Sequence, residues 1–283
     1  MHTATIKNHS TLVDEVPSLR ILQLASGDLW AGAEVMVYNL AVELNASAKV
    51  SLQVVLLNDG ELASRLRQAG VAVTVLDESR LGFFHLLKRL VQLDRQFQPH
   101  VIHTHRRKEN ILGACASLSR RGCRSIRTVH GDEEHPPRWY QLPQRLVRLA
   151  DRLAGRFLQK KVVAVSDELA ERLSHRYGSS RVVTIFNGID PQAVRDRADA
   201  AENPFTEDEN RFRVALVGRM VPVKRVDLFL QTAALAEQQG EKGFAFYVIG
   251  DGPQLAAMKQ MAEQLKLHSV QFLGYRDNTP AYL

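Results

Sequence analysis

The sequence predicts an α/β protein: two doubly wound parallel-sheet units in tandem, the second incomplete. Three observations lead there. Short apolar runs rich in β-branched residues alternate with longer segments of helical period, the pattern of parallel strands covered by helices. The alternation restarts after a polar, proline-punctuated stretch at 191–211. And 283 residues, 45% apolar and 24% charged, suit two soluble domains with sizeable cores.

In chain order, Arg20-Ile-Leu-Gln-Leu-Ala-Ser26 reads as a buried strand closed by Gly27, and Glu34 to Leu44 as the helix after it. Val50 to Leu57 is a second strand, ended by Asn58-Asp-Gly60. Further strands are expected at Val71 to Leu76, Val101 to Thr104, Ser125 to Val129, Val162 to Val165 and Val182 to Phe186. Helices are expected at Leu86 to Phe97, Ile111 to Ser119 and Leu146 to Leu158. The second series runs strand Arg213 to Val217, helix Val226 to Gln239, strand Phe244 to Ile249, helix Gln254 to Leu265, strand Val270 to Leu273. This gives a Rossmann-like domain at 1–190, a linker at 191–211 and a partial second Rossmann-like domain at 212–283, with the ligand site expected in a cleft between them. Three strands fall short of the ~5 to 6 usual for such sheets, so the chain reads as a fragment of a longer product.

Composition excludes several classes. With 17 glycines and 10 prolines the chain is neither collagenous nor low-complexity. Its two cysteines, Cys115 and Cys123, form no CxxC pair, which argues for a reducing, cytoplasmic setting without a disulfide framework or thiolate zinc site. No apolar run approaches the ~18 residues of a membrane span, and the start lacks signal-peptide order. The net charge of +6 is concentrated: residues 101–161 hold 14 Lys and Arg against 5 Asp and Glu, so the remainder is net acidic. Such a patch attracts an anionic partner.

The strand ends of the second half carry the clearest chemistry. In Val217-Gly-Arg-Met-Val-Pro-Val-Lys224, Gly218 permits a sharp turn while Arg219 and Lys224 flank it, bringing two cations and free amides together as a diphosphate requires. In Val248-Ile-Gly-Asp-Gly-Pro253 the glycines Gly250 and Gly252, without Cβ, are expected to let a nucleotide approach closely. Rival readings are weaker. A metal cluster of His103, His105, His130, Asp132 and His135 is opposed by the adjacent cations Arg106-Arg-Lys108. No Gly-x-Gly-x-x-Gly, Walker loop or Gly-x-Ser-x-Gly elbow is complete.

Taken together, these segments resemble those of glycosyltransferase family four. Trp30-Ala-Gly-Ala-Glu34, His103-Thr-His105, Thr128-Val-His-Gly131, Val165-Ser-Asp-Glu-Leu-Ala170, Asn187-Gly-Ile-Asp190, the Gly218 to Lys224 and Gly250 to Pro253 turns, and Phe272-Leu-Gly274 follow the family's order. The resemblance implies the GT-B architecture and transfer of a sugar from a nucleoside-diphosphate donor with retention and without a metal. It implies Arg219 and Lys224 on the donor diphosphate, and His130 on the transferred sugar or acceptor. It also implies donor contacts from Gly32, Gly218, Gly250, Asp251, Gly252 and Pro253, and sugar or acceptor contacts from Glu34, His103, His105 and Asn187. No cofactor beyond the nucleotide-sugar co-substrate is implied. The acceptor class, glycan, lipid or small molecule, stays open. Departures are Ala31 for the family's first loop glycine, Arg225 where a glycine usually follows the lysine, and no acidic Glu-x7-Glu segment.

The alternative class is a non-catalytic remnant that binds anionic membrane or substrate through its basic surface. Its focus is 139–161. There Leu146, Val147, Ala150, Leu153, Ala154, Phe157 and Leu158 share one helical face, and Arg145, Arg148, Arg152, Arg156 and Lys160 another. Preceded by Trp139-Tyr140, this resembles an interfacial helix, although the commoner outcome is a packed helix with a solvated cationic face. Nucleic-acid binding is not expected, since no stacking platform accompanies the charge.

Overall fold

The computed structural model describes residues 18–28, 30–131, 141–200, 205 and 211–282. The chain forms two compact units, Met1–Gly188 and Ile189–Leu283. In the first, β1 (Leu19–Ala25), α1 (Gly32–Ala46), β2 (Val50–Leu56), α2 (Glu61–Gln68), β3 (Val73–Val75), α3 (Phe83–Phe97), β4 (Val101–Thr104) and α4 (Arg107–Ser117) follow in turn. They continue into β5 (Arg124–Val129), α5 (Leu142–Leu153), β6 (Gln159–Ala164), α6 (Asp167–Tyr177) and β7 (Val182–Thr184). All pairings are parallel and the order is β3-β2-β1-β4-β5-β6-β7. The direction of strand addition therefore reverses between β1 and β4, where such sheets open a crevice at their carboxyl edge.

Period-two alternation along β1 divides the core. Leu22 and Leu24 pack with Leu86 and Leu90 of α3 and Leu112 and Ala116 of α4. Ile21 and Ala25 face Val37 and Ala41 of α1 and Leu62 and Leu66 of α2. Gln23 shares the α1 face, wholly buried between Leu22 and Leu24.

A second buried polar group organises the other half of this sheet. Arg127 on β5, 1% exposed, donates from Nη1 to Asp151 Oδ1 of α5 at 2.9 Å and to Tyr177 Oη of α6 at 3.3 Å. Its Nη2 donates to the Asp151 carbonyl at 3.0 Å, and its Nε to Gln159 Oε1 of β6. Asn110 of α4 adds a donor to the same carboxylate at 3.1 Å. A charge so deep is tolerated only when every donor is met.

This contact overturns the expected packing of the basic helix. Asp151 and the π-helical turn Ala154–Leu158 that continues α5 place Asp151, Ala154 and Gly155 inward. The leucine stripe therefore faces out: Leu142, Leu146, Leu149, Leu153 and Phe157 are between 47% and 66% exposed. The packed helix with a solvated cationic face is not what forms. Trp139 and Tyr140 lie outside the described residues.

In the second unit, α7 (Pro191–Asp199), β8 (Phe212–Val217), α8 (Val226–Gln238), β9 (Phe244–Ile249), α9 (Leu255–Gln264) and β10 (Val270–Gly274) form a parallel sheet of order β10-β9-β8. Residues read as the start of a linker are thus helical. Asp190 accepts from Gln192 N at 2.9 Å and Ala193 N at 3.2 Å, and Pro191 stands at the first helical position, a cap and start that local chemistry alone supports. Met220, Val226, Leu230 and Val248 form the core under α8.

Replacing Asp151 by Ala leaves the Arg127 guanidinium buried and unpaired, and is expected to cost about 3–5 kcal/mol in chemical denaturation. The double change Arg127→Met with Asp151→Leu, which removes both charges, should cost less than the single one.

Candidate functional site

The carboxyl ends of β1, β4 and β5 gather most of the first unit's expected site residues. Gln23, His103, His105, Thr128 and His130 have matching parity on neighbouring strands, so all project to the α1 side of the sheet. His103 Nε2 lies 2.8 Å from Thr128 Oγ1. His105 Nε2 lies 3.0 Å from Gln23 Nε2, and its Nδ1 3.0 Å from His130 Nε2. The His105 and His130 ring centres are 5.3 Å apart with planes 25° from parallel. At that separation, with nitrogens in hydrogen-bond range, the imidazoles meet end to end.

Burial keeps these rings neutral. It pushes His103 down to about 4, with His130 adding to the effect, and holds His105 well below the ordinary histidine value, with His103 and His130 contributing. His130 is lowered to about 4 by burial first and by the Arg106 charge second. Direct ligand contact was expected of all three. The structure instead spends both ring nitrogens of His105 on neighbours and buries His103 to 7% exposure, because strand-end imidazoles pointing toward α1 must pair with protein groups. His130 is half-buried, and its Nδ1 is without a partner among the described residues.

Around this line lies a charged cluster that spacing did not reveal. Arg106 donates to Asp28 Oδ1 at 2.9 Å and to Glu34 Oε1. Glu34, in the first turn of α1 beside Gly32, is 3% exposed; burial raises its pKa and Arg106 offsets part of the rise. Lys108 pairs with Glu78, which Asn58 also holds at 2.9 Å. Glu109 is pushed up to about 7 by burial. Arg106 and Lys108 thus have carboxylate partners, although the Arg106 charge still bears on His130. Among the described residues no group of three or more His, Cys, Asp or Glu side chains is placed to hold a metal ion. Asp132 and His135 lie outside the described residues. Asn187 follows the edge strand β7, exposed and two strands removed from β5, so the first sheet does not bring it to the histidines.

In the second unit the two expected turns are joined through their backbones. Gly218 N donates to Ile249 O at 2.9 Å, Met220 N to Asp251 O at 2.9 Å and Gln254 N to Met220 O at 3.2 Å. Gly250 has φ +137°, and a Cβ there would lie 2.0 Å from Gly218 O; a Cβ on Gly252 would lie 2.6 Å from Met220 O. The missing Cβ atoms thus admit the neighbouring loop, a correction to the expectation that they make room for a nucleotide. Asp251 Oδ1 accepts from Gly252 N at 2.6 Å, and Pro253 is exposed beside it. Arg219 and Lys224 are both exposed, and among the described residues neither is held in an ion pair. The Lys224 stem passes over Gly218, its Cε 3.5 Å from where a Cβ would stand. Arg225 adopts φ +49° before α8 and pairs with Asp227 at 2.9 Å. A left-handed residue is needed there, which explains why glycine suits the position and why this arginine carries a carboxylate partner.

Comparisons with known proteins fit this geometry. The family model described as Glycosyltransferase Family 4 matches residues 30–193, and that described as Glycosyl transferases group 1 matches 198–283. No curated protein sequence matches the chain. Among solved structures, Anabaena Alr3699/HepE in complex with UDP is 22% identical with a TM-score of 0.70, covering 93% of this chain and 71% of its own. A glycosyltransferase from Rickettsia africae is 17% identical at TM-score 0.66, covering 94% and 70%. A UDP-GlcNAc 2-epimerase from Neisseria meningitidis bound to UDP-GlcNAc is 14% identical at TM-score 0.58, covering 93% and 74%. At these identities the likeness is one of fold, shared by transferases and an epimerase alike.

The neutral histidines set a pH dependence of stability. In the unfolded chain they protonate near 6.5, but His103 and His130 in the fold only near 4. Below pH 6.5 the unfolded state binds more protons, so stability is complete above that value and falls toward pH 4 by ~1.4 kcal/mol per pH unit for each ring. Urea midpoints measured across this window should fall accordingly; a flat profile would mean the rings are solvated.

Proposed function

The chain belongs to glycosyltransferase family 4 and is a glycosyltransferase of the GT-B type, and from that premise we propose that it moves a sugar from a nucleoside-diphosphate sugar to an acceptor with retention and without a metal. The observation that carries the donor assignment is the pair of exposed cations on the Gly218–Lys224 turn, uncommitted among the described residues. When the bond from the anomeric carbon to the diphosphate breaks, negative charge grows on the departing oxygen. A guanidinium and an ammonium already in place stabilise that charge more than the ground state, the work a divalent ion does elsewhere. Gly218 and the Gly250–Pro253 turn, tied to it by backbone hydrogen bonds, form the floor beside the diphosphate. The complexes of HepE with UDP and with UDP and glucose support a uridine diphosphate donor.

The first unit supplies the sugar and acceptor side. His130, neutral and with one nitrogen unengaged, donates to or accepts from a hydroxyl, and Glu34 with Gly32 at the start of α1 borders the same crevice. His103 and His105 act behind it, through the neighbours they hold. Asn187, on the loop before α7, is proposed as a sugar contact from the family pattern.

A second reading rests on the outward leucine stripe of α5. Five large apolar side chains on the same helical segment as the exposed cations Arg152 and Arg156 match a surface that lies in an anionic lipid interface. Among the described residues no helix is long and apolar enough to cross a membrane, so such contact is peripheral.

Two measurements test these readings. Arg219→Ala or Lys224→Ala should lower kcat/KM by about 10²–10³-fold and abolish the heat of uridine diphosphate binding in calorimetry, with unfolding midpoints unchanged; wild-type turnover in either variant would remove that residue from the site. For the helix, sedimentation with phosphatidylglycerol vesicles should retain the protein at low salt and release part of it at high salt, and Leu146→Glu with Leu149→Glu should abolish retention.

A further inference from the structure

Gln23 is fully buried in β1, and its carboxamide lies between two groups of different kind. One is the main-chain carbonyl of Val37 in α1, 3.5 Å from Nε2, which only accepts. The other is His105 Nε2 at 3.0 Å. Turning the carboxamide over would set two oxygens against each other, so the amide NH₂ faces both and His105 Nε2 is the acceptor. A neutral imidazole that accepts at one nitrogen carries its proton on the other. His105 Nδ1–H therefore donates to His130 Nε2 across 3.0 Å, and by the same rule the proton of His130 sits on Nδ1. That nitrogen is buried with no partner among the described residues, a donor left unpaid at a cost of ~1–3 kcal/mol until an oxygen reaches it.

We infer that Gln23 and His105 are positioning residues: Gln23 sets the tautomer of His105, His105 sets that of His130, and His130 thereby offers an Nδ1–H to an oxygen of the bound sugar or acceptor. The ligand half of this statement rests on the transferase reading; the proton order does not. The line of three groups runs along the carboxyl edge where strand order reverses, so the polarity chosen deep under α1 is delivered at the crevice. The arrangement also explains why a polar side chain occupies the centre of a core strand, where Leu or Val would otherwise pack. Among the described residues no carboxylate meets a ring nitrogen of His105 or His130: Arg106 holds Asp28 Oδ1 and Glu34 Oε1, and the partners of His105 are Gln23 and His130.

The test is nitrogen NMR of the full chain with ¹⁵N-labelled histidine, in which protonated and unprotonated ring nitrogens resonate far apart. The wild type should show His105 and His130 both protonated at Nδ1, the less common form of a free imidazole. Gln23→Glu offers an acceptor where the donor stood, and both rings should move their protons to Nε2. Gln23→Met, which removes donor and acceptor but keeps the volume, should give mixed tautomers and guards against misfolding of the charged variant. In either variant kcat should fall about tenfold, one well-made hydrogen bond in the transition state, while the KM for the nucleotide donor changes little. His130 protonated at Nε2 in the wild type, or unchanged tautomers in both variants, would overturn the relay. Correct tautomers in a protein that binds no uridine diphosphate would instead leave the relay standing and remove the transferase reading.

Discussion

The guanidinium of Arg127 has no route to water, and the β5–β6 half of the first sheet is arranged to satisfy it. A carboxylate must come to it, and Asp151 does so only if α5 turns its polar side inward. Tyr177 reaches in from α6, Gln159 from β6, and Asn110 links the same carboxylate to α4 and, through Thr104, to the end of β4. Three helices and two strands are thus tied to one charge on β5. Removing both partners together would be far less disruptive than removing one, which marks the pair as a device of specificity more than of net stability.

The consequences reach the surface in two directions. Outward, the inverted α5 presents leucines where a packed helix would hide them, so its exposed apolar face is a by-product of satisfying a buried charge. Toward the crevice, the same network anchors β4 and β5, from whose ends His105 and His130 project. A line of hydrogen-bonded groups works only if its members hold their spacing, and strands locked on both sides by Thr104, Gln159 and Ser125 hold it.

The second unit solves a different problem. Its two strand-end turns are packed so closely that only glycine fits at 250, and the resulting rigid pair of loops carries Arg219 and Lys224 free of acidic partners among the described residues. Arg225 shows the local tolerance of the design: a side chain at φ +49° is accepted where its own guanidinium can reach Asp227.

The ten strands among the described residues were legible in the sequence because parallel strands are continuous apolar runs bounded by glycine or polar residues, and their position alone placed His103, His105, His130 and Arg219 at carboxyl ends. The short helices α2 and α6 carry too many polar residues to stand out in the sequence, and α7 lies in a stretch whose composition marks a linker although Asp190-Pro191 is a cap and a first turn. What the sequence by itself determined was the fold class and the family, since both depend on the order of short motifs along the chain. Tertiary structure alone decided which groups answer one another: Gln23 facing His105 across 82 positions, Asp151 drawn in by Arg127, Gly250 yielding to a carbonyl. Those choices depend on which side chains arrive at the same point in space and on whether a buried polar atom finds its complement there, and no periodicity along the chain records that.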